Sequence, residues 1–286
     1  MNSFYILMNR SKNDRITLAH EIKDYIQSLG KKCMIQDDDQ KLEGTKYRYS
    51  NADLIPEDVD CVIVLGGDGT MIQAARDLYN RNLPLFGVNI GTLGFLTDIE
   101  KDNIYQSIIS LIKDEYEIDS RMMLYGQVYR DGEMIYDNIA LNDIVINRHG
   151  TLRVIDFDIY VNGEYLNSYS ADGMIVSTAT GSTAYSLSAG GPIVQPNASL
   201  MMITPVCPHT LNKRSIILDQ DDIIEVVMSD NKGLAEERVS SFDGELYVRL
   251  ITGDKIIIRK AEKRADLVKT SKLSFLQILK KKMSNN

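Results

Sequence analysis

Apolar positions along the first third of the chain alternate between two periods. Residues 4–8 form an unbroken apolar run of strand length. Leu18, Ile22, Tyr25, Ile26 and Leu29 then recur at helical spacing and stop at Gly30, a residue suited to the position just past a helix end. Residues 32–36 predict a second strand, and 61–65 a β-branched third one, after a polar stretch from 37 to 58 that reads as a loop. Met71, Ala74, Ala75 and Leu78 mark a helix, 85–88 another strand, and Ile104, Ile108, Leu111 and Ile112 a further amphipathic helix. Such β-α repetition predicts a parallel sheet covered by helices.

From about residue 118 the pattern changes to strands alone. Residues 122–130 and 134–136 flank Asp131-Gly132, and 154–161 and 164–166 flank Asn162-Gly163, so both pairs read as hairpins closed by favoured turn dipeptides. Runs at 215–218, 223–228 and 255–259 continue the pattern, which predicts a sandwich or a similar closed β-structure. Ser274 and Gln277 have the spacing of a capping box and start a short helix through Leu279 that ends in Lys280, Lys281 and Lys282, cations that complement a helix C-terminus. The apolar face of this helix requires a partner. The expected division is an α/β domain over 1–118 plus 267–286 and a β-sandwich-like domain over 119–266.

The 286 residues carry 32 Lys and Arg against 40 Asp and Glu, a formal net charge of −8, which argues against a protein that tracks a nucleic-acid backbone. An anionic ligand must then be held locally, by backbone N–H groups, a few cations or a metal ion. Cys33, Cys61 and Cys207 lie far apart with no CxxC pair, so the sequence suggests no zinc site and no disulfide framework. No stretch approaches the ~20 apolar residues of a membrane span, and a soluble cytoplasmic protein is expected. His20 reads as a solvated helix residue, His149 as part of a strand connection, and His209 either as lining the site or, with Pro208, as shaping a loop. Met122, Met123, Met201 and Met202 read as core.

The chemistry concentrates in two places. In VIVLGGDGTMIQAA, residues 62–75, a strand runs into a glycine turn and then a helix, an arrangement that lets backbone approach an anion at a helix N-terminus. Neither the Walker A pattern nor GxGxxG is completed. Asp68 among the glycines would repel phosphate unless it holds a Mg²⁺ that also grips the phosphates, or accepts a hydrogen bond from a neutral attacking hydroxyl. The plain alternative is an aspartate that caps the following helix. The second place is SADGMIVSTATGSTAYSLSAGGPI, residues 170–193, whose short hydroxyl side chains and glycines suit a ribose and an adenine edge. Asn142-Asp143, between two apolar runs, reads as a bulge, a solvated strand edge or a ligand contact.

Gly66-Gly67-Asp68-Gly69-Thr70, NIGTLGFL at 89–96, Leu141-Asn142-Asp143, the run 172–191, PVCPHTL at 205–211 and Phe242-Asp243-Gly244-Glu245 occur in one order. Together they resemble a bacterial-type NAD kinase over nearly the whole chain. The resemblance implies a Rossmann-like N-terminal α/β domain, a C-terminal β-sandwich-like domain and a final helix that returns to the first. It implies phosphoryl transfer from ATP, or from polyphosphate, to the 2′-hydroxyl of the adenosine ribose of NAD, with Mg²⁺ or another divalent cation, in a homodimer or homotetramer. Asp68 then matches the proton acceptor, flanked by Gly67 and Gly69. Asn142 and Asp143 match a substrate-contacting pair, and Phe95, Thr183, Ala184, Tyr185 and Ser188 match positions around the adenosine half. Asp172 matches a residue near the nicotinamide end, and Arg153 and Ser170 match further dinucleotide-binding positions. Asp143 stands where the family usually has Glu, Ala179 where it usually has Pro, and Ser170 where some members have Arg.

Two other functions fit parts of the sequence. Lipid kinases share the Gly-Gly-Asp-Gly turn but call for a basic and apolar membrane-docking surface that this acidic chain does not advertise. A non-catalytic dinucleotide sensor would bind NAD without turnover.

Overall fold

The computed structural model describes the chain apart from residues 9–12, 37–50, 92–93, 98, 151–152, 211–212, 230–237, 272 and 285–286 and the side chains of 13, 14 and 246. Most of the loop expected over 37–58, Thr92 and Leu93 of NIGTLGFL, and Leu211 of PVCPHTL lie outside the described residues. The chain divides into two compact units, Met1–Arg121 with Ala265–Asn286, and Met122–Arg264.

The first unit opens with β1 (Ser3–Met8), α1 (Asn13–Ser28), β2 (Lys32–Ile35), β3 (Cys61–Gly66), α2 (Asp68–Asp77), β4 (Leu85–Asn89), β5 (Ile99–Glu100), α3 (Ile104–Ile112) and β6 (Glu117–Arg121). β2, β1, β3 and β4 pair in that order, all parallel, with β5 beside β4. Every residue of β1 and of β3 is buried, which is why both read as continuous apolar runs and not as alternating ones. Leu18, Ile22 and Ile26 of α1 and Ile104, Ile108 and Leu111 of α3 join Phe4, Ile6, Ile63 and Phe86 in one core. The helical spacing read from the sequence is therefore the face that covers the sheet.

The second unit holds β7 (Leu124–Arg130), β8 (Glu133–Ala140), β9 (Asp143–Arg148), β10 (Ile155–Val161), β11 (Glu164–Ala171), β12 (Gly173–Thr178), the single-turn α4 (Tyr185–Ser188), β13 (Leu200–Val206), β14 (Ile216–Asp219), β15 (Ile224–Met228), β16 (Arg238–Phe242), β17 (Leu246–Leu250) and β18 (Lys255–Lys260). Among the described residues these form two six-stranded sheets, β11-β10-β15-β18-β7-β8 and β14-β13-β12-β9-β16-β17. Leu124, Phe157, Ile224 and Ile258 of the first share one core with Ile146, Val176, Ile203 and Phe242 of the second, the arrangement of a β-sandwich. Both hairpin turns are left-handed at both central residues, Asp131 and Gly132 at φ 52° and 84°, Asn162 and Gly163 at 52° and 81°, as their dipeptides predict. Asn142-Asp143 does not interrupt a strand. The chain leaves β8 in one sheet at Ala140 and enters β9 in the other at Asp143, so the polar pair marks the crossing between sheets.

The chain then re-enters the first unit through β19 (Ala265–Lys269) and α5 (Phe275–Ser284). β19 inserts between β4, to which it is parallel, and β6, to which it is antiparallel. Two expectations are corrected here. The all-strand rhythm that begins near 118 starts with a strand of the first unit, because β6 finds its partner in β19 and not in the strands that follow it. The final helix runs to Ser284, two residues past the lysines in which it was expected to end. Its capping box is as read: Ser274 N–H donates to Gln277 Oε1 at 2.8 Å and Gln277 N–H to Ser274 Oγ at 3.3 Å.

Charge fastens β19 to β6. Asp119 accepts from Arg121 Nε at 2.8 Å and Nη2 at 2.7 Å, and Lys269 Nζ lies 2.8 Å away; the Arg121 side chain is only 2% exposed. Burial alone would push the Asp119 carboxyl up, but Arg121 and then Lys269 outweigh it and hold it at about 2. A carboxyl held below its ordinary value stabilises the fold above pH ~4 and loses that contribution as pH falls toward ~2. Asp119→Asn is expected to cost roughly 3 kcal/mol by leaving Arg121 buried without its anion. Urea unfolding at pH 7 and pH 3 checks this, the gap between variant and wild type narrowing at the lower pH.

Candidate active site

β3 ends at Gly66, Gly67 occupies the cap position of α2, and Asp68 is the first helical residue, so its charge lies at the positive end of the helix dipole. The carboxylate does not cap its own helix. It reaches the segment after Gly94 and accepts the N–H of Phe95 on Oδ2 at 2.8 Å, those of Leu96 and Thr97 on Oδ1 at 3.0 and 3.3 Å, and the Thr97 hydroxyl on Oδ1 at 3.2 Å. Three successive amides thus hold one anion, and Oδ2 keeps a lone pair beyond its single amide. The two motifs GGDGT and NIGTLGFL are in this way one structure. A Cβ on Gly94 would lie 1.8 Å from Asp68 Oδ1, so only glycine admits this contact. Gly67 and Gly69 differ: a Cβ on either meets nothing within 4 Å, and neither has positive φ. Nothing inside the chain requires glycine there. What glycine provides is an uncluttered approach to the N-terminus of α2 from outside.

The second unit repeats the device. Asp243, left-handed at φ 51°, accepts the N–H groups of Leu141 at 2.8 Å on Oδ2, and of Asn142 and Asp143 at 2.8 and 3.2 Å on Oδ1. Thr178 locks the same turn from the other side: its N–H donates to the Asn142 carbonyl at 2.9 Å and its hydroxyl to the Leu141 carbonyl at 2.7 Å. A Cβ on Gly181 would stand 2.1 Å from the Asn142 carbonyl oxygen, so the segment after β12 can lie this close only with glycine there. Ile144 and Ile146 point into the sandwich core, which directs Asp143 to the outer face of its sheet. The segment after β12 is tied to β13 by Ser186 Oγ and Thr204 Oγ1, 3.2 Å apart.

Asp143 is 5% exposed, and in register it stands opposite Ser177, whose hydroxyl is buried without a hydrogen-bond partner. Burial first, then the charge of Asp243, pushes its carboxyl up to about 7. Tyr185 is 40% exposed, and its phenol is raised by partial burial and then by the nearby charges of Cys207, Asp172 and Asp143. These residues therefore belong to one neighbourhood. Thr183 donates its hydroxyl to the Thr180 carbonyl at 3.3 Å, Ala184 joins the short turn to α4, and Ser188 is exposed on α4.

Asp172 faces Arg148, whose Nε lies 2.8 Å from its Oδ1. Ser170 gives its hydroxyl to Asp156 across the β10–β11 pair, and Arg153 is exposed on the connection between β9 and β10. Phe95 and Asp68 belong to the first unit. Sequence reasoning did not find Thr97 or Arg148, and it saw Asp243 only inside a motif; each acts through a partner more than twenty residues away, and the one local sign was the turn dipeptide Asp243-Gly244. His20, His149 and His209 are exposed, and Met122, Met123, Met201 and Met202 are buried.

A carboxyl whose native value is raised keeps its proton while the unfolded chain has lost it, so Asp143 makes stability fall as pH rises from about 4 to about 7. Asp143→Asn should remove that dependence and be more stable than wild type at pH 8. Denaturation midpoints of both proteins at pH 5 and pH 8 measure it.

Residues 4–116 match the ATP-NAD kinase N-terminal domain and residues 141–270 the ATP-NAD kinase C-terminal domain. An NAD kinase of Lachnospira eligens is 52% identical over 99% of this chain and 100% of its own length, and one of Lachnoclostridium phytofermentans is 42% identical with both chains fully covered. Among solved structures, yeast NADH kinase complexed with NADH superposes with a TM-score of 0.85 at 25% identity, covering 100% of this chain and 88% of that one. An NAD kinase from Archaeoglobus fulgidus in complex with ATP has the same fold, with a TM-score of 0.74 at 23% identity and 95% of each chain covered. With both domains matched in order and relatives this similar along the full length, the chain belongs to the NAD kinase family.

Proposed function

We propose that this protein phosphorylates NAD to NADP, moving the terminal phosphoryl group of ATP onto the 2′-hydroxyl of the adenosine ribose, with Asp68 as proton acceptor. The observation that carries the mechanism is the Asp68 carboxylate held by three backbone amides beside the open N-terminus of α2. Phosphate oxygens are served by the helix end and the unobstructed Gly67 and Gly69. The remaining lone pair on Oδ2 orients the ribose hydroxyl. In a loose transition state the hydroxyl loses its proton late, so a weak base suffices: the ribose oxygen bonds to phosphorus, the bond to the departing ADP breaks, and the proton passes to Asp68. In the second unit, Asn142 with the buried Asp143 behind it would serve the dinucleotide through hydrogen bonds, and Tyr185 presents a half-exposed ring for the adenine.

A divalent cation, when bound, offsets charge on the transferring phosphoryl group. Among the described residues no three His, Cys, Asp or Glu side chains gather; Asp68 is the carboxylate that would stand toward a Mg²⁺ carried by the phosphates. The same reading takes the protein as a cytoplasmic homo-oligomer, dimer or tetramer; among the described residues no helix is long and apolar enough to cross a membrane.

Purified protein supplied with NAD or NADH against ATP or polyphosphate and Mg²⁺ tests the reaction, and absence of NADP or NADPH in every combination refutes it. Asp68→Asn is expected to lower kcat by roughly 10² to 10⁴ while NAD still binds, because the base is required in the transition state more than in the ground state; wild-type kcat in that variant excludes the role. Tyr185→Ala should leave kcat nearly intact and raise the KM for NAD roughly tenfold through lost stacking. An unchanged KM removes the ring from the adenine.

A further inference from the structure

Of the three residues whose amides hold Asp68, Leu96 and Thr97 are buried and Phe95 is not. Gly94 has no side chain, and Phe95, the residue that gives the shortest bond to Asp68, is only half-buried. Its ring is fixed by the far end of the chain. Phe275, the first residue of α5, lies with its ring centroid 6.0 Å away at an interplanar angle of 40°, and Lys282 places Nζ 4.7 Å from the Phe95 centroid. Residues 275 and 282 are seven apart, hence on one side of the helix about two turns from each other, with Ile278, 2% exposed, on the same side. Leu276 and Met283 are exposed, as are Lys280 and Lys281, whereas Lys282 is half-buried. Of the three lysines at the end of this helix, one is turned inward onto an aromatic face.

We infer that Phe275 and Lys282 are positioning residues for phosphoryl transfer: by gripping the Phe95 ring they fix the amides that aim the Asp68 carboxylate. The inference rests on the reading of Asp68 as proton acceptor. A cation over a ring and a tilted aromatic pair both have directional optima, so together they restrict the rotation of Phe95 in a way that apolar contact alone does not. Since Phe95 N–H bonds Oδ2, the oxygen assigned to the substrate hydroxyl, looseness at the ring becomes looseness at the base. Small misplacements of a reacting group are costly in rate.

The test compares Lys282→Met, Lys282→Arg, Phe275→Ala and Phe95→Leu, with Asp68→Asn as reference, in the full chain. Lys282→Met is expected to lower kcat roughly threefold to fivefold, the range of one exposed cation–π contact, and Lys282→Arg to restore it. Phe275→Ala should lower kcat roughly tenfold. In the Phe95→Leu background, Lys282→Met should produce no further loss, because the ring through which it acts is gone. A lowered Tm with unchanged kcat in Lys282→Met and Phe275→Ala, or a change confined to the KM for NAD, overturns the inference while leaving the role of Asp68 standing. Losses that simply multiply in the Phe95→Leu background overturn it as well. Full turnover in Asp68→Asn overturns the base assignment and this inference together.

Discussion

A carboxylate carried by peptide N–H groups, with no cationic side chain in ion-pair contact among the described residues, is the interaction on which the candidate site depends. A lysine beside Asp68 would neutralise it and blunt its attraction for a hydroxyl proton; no partner at all would leave it repelling a polyphosphate. Amides and a helix end take the middle course. They offset the charge with dipoles that cannot move away, so the anion stays aimed. The second unit uses the same solution at Asp243, which grips 141–143 as Asp68 grips 95–97. In each case one aspartate joins segments far apart in sequence, and two motifs become one piece of geometry.

Glycine and short hydroxyl side chains make such closeness tolerable. Gly94 under the Asp68 carboxylate and Gly181 against the Asn142 carbonyl mark places where a methyl group has no room. Thr178, Ser182 and Ser186 bind neighbouring backbone and side-chain groups across the layer above β12 and β13. Among the described residues the layer is not perfectly satisfied: the buried Ser177 hydroxyl, opposite Asp143, has no hydrogen-bond partner there. A buried polar group of this kind costs stability.

Where a signal was local, the sequence was legible. The apolar runs of β1 and β3, the helical faces of α1 and α3, the Asp131-Gly132 and Asn162-Gly163 turns and the cap at Ser274 all follow from residues within one element of each other. Allegiance was harder. β6 reads Glu-Ile-Asp-Ser-Arg and has almost no apolar pattern; its ladder with β19 and the reach of Asp119 to Lys269, 150 residues further along the chain, assign it to the first unit. The composition of the site was legible in its motifs, whereas its wiring was not. Nothing near Asp68 announces Phe95, and nothing near Asp143 announces that burial and a neighbouring carboxylate will push its carboxyl up.

The insertion of β19 between β4 and β6 has a consequence for biogenesis. A chain emerging from the ribosome has β1 to β6 available early, yet its first sheet cannot close, since the strand that belongs in the gap follows the whole second unit in sequence. Among the described residues the strands from 122 to 264 pair with one another, so that stretch is free to fold first. Until residue 265 onward arrives, the incomplete sheet must keep an unpaired edge from associating with other chains, and the newborn protein is most in need of chaperones over that interval.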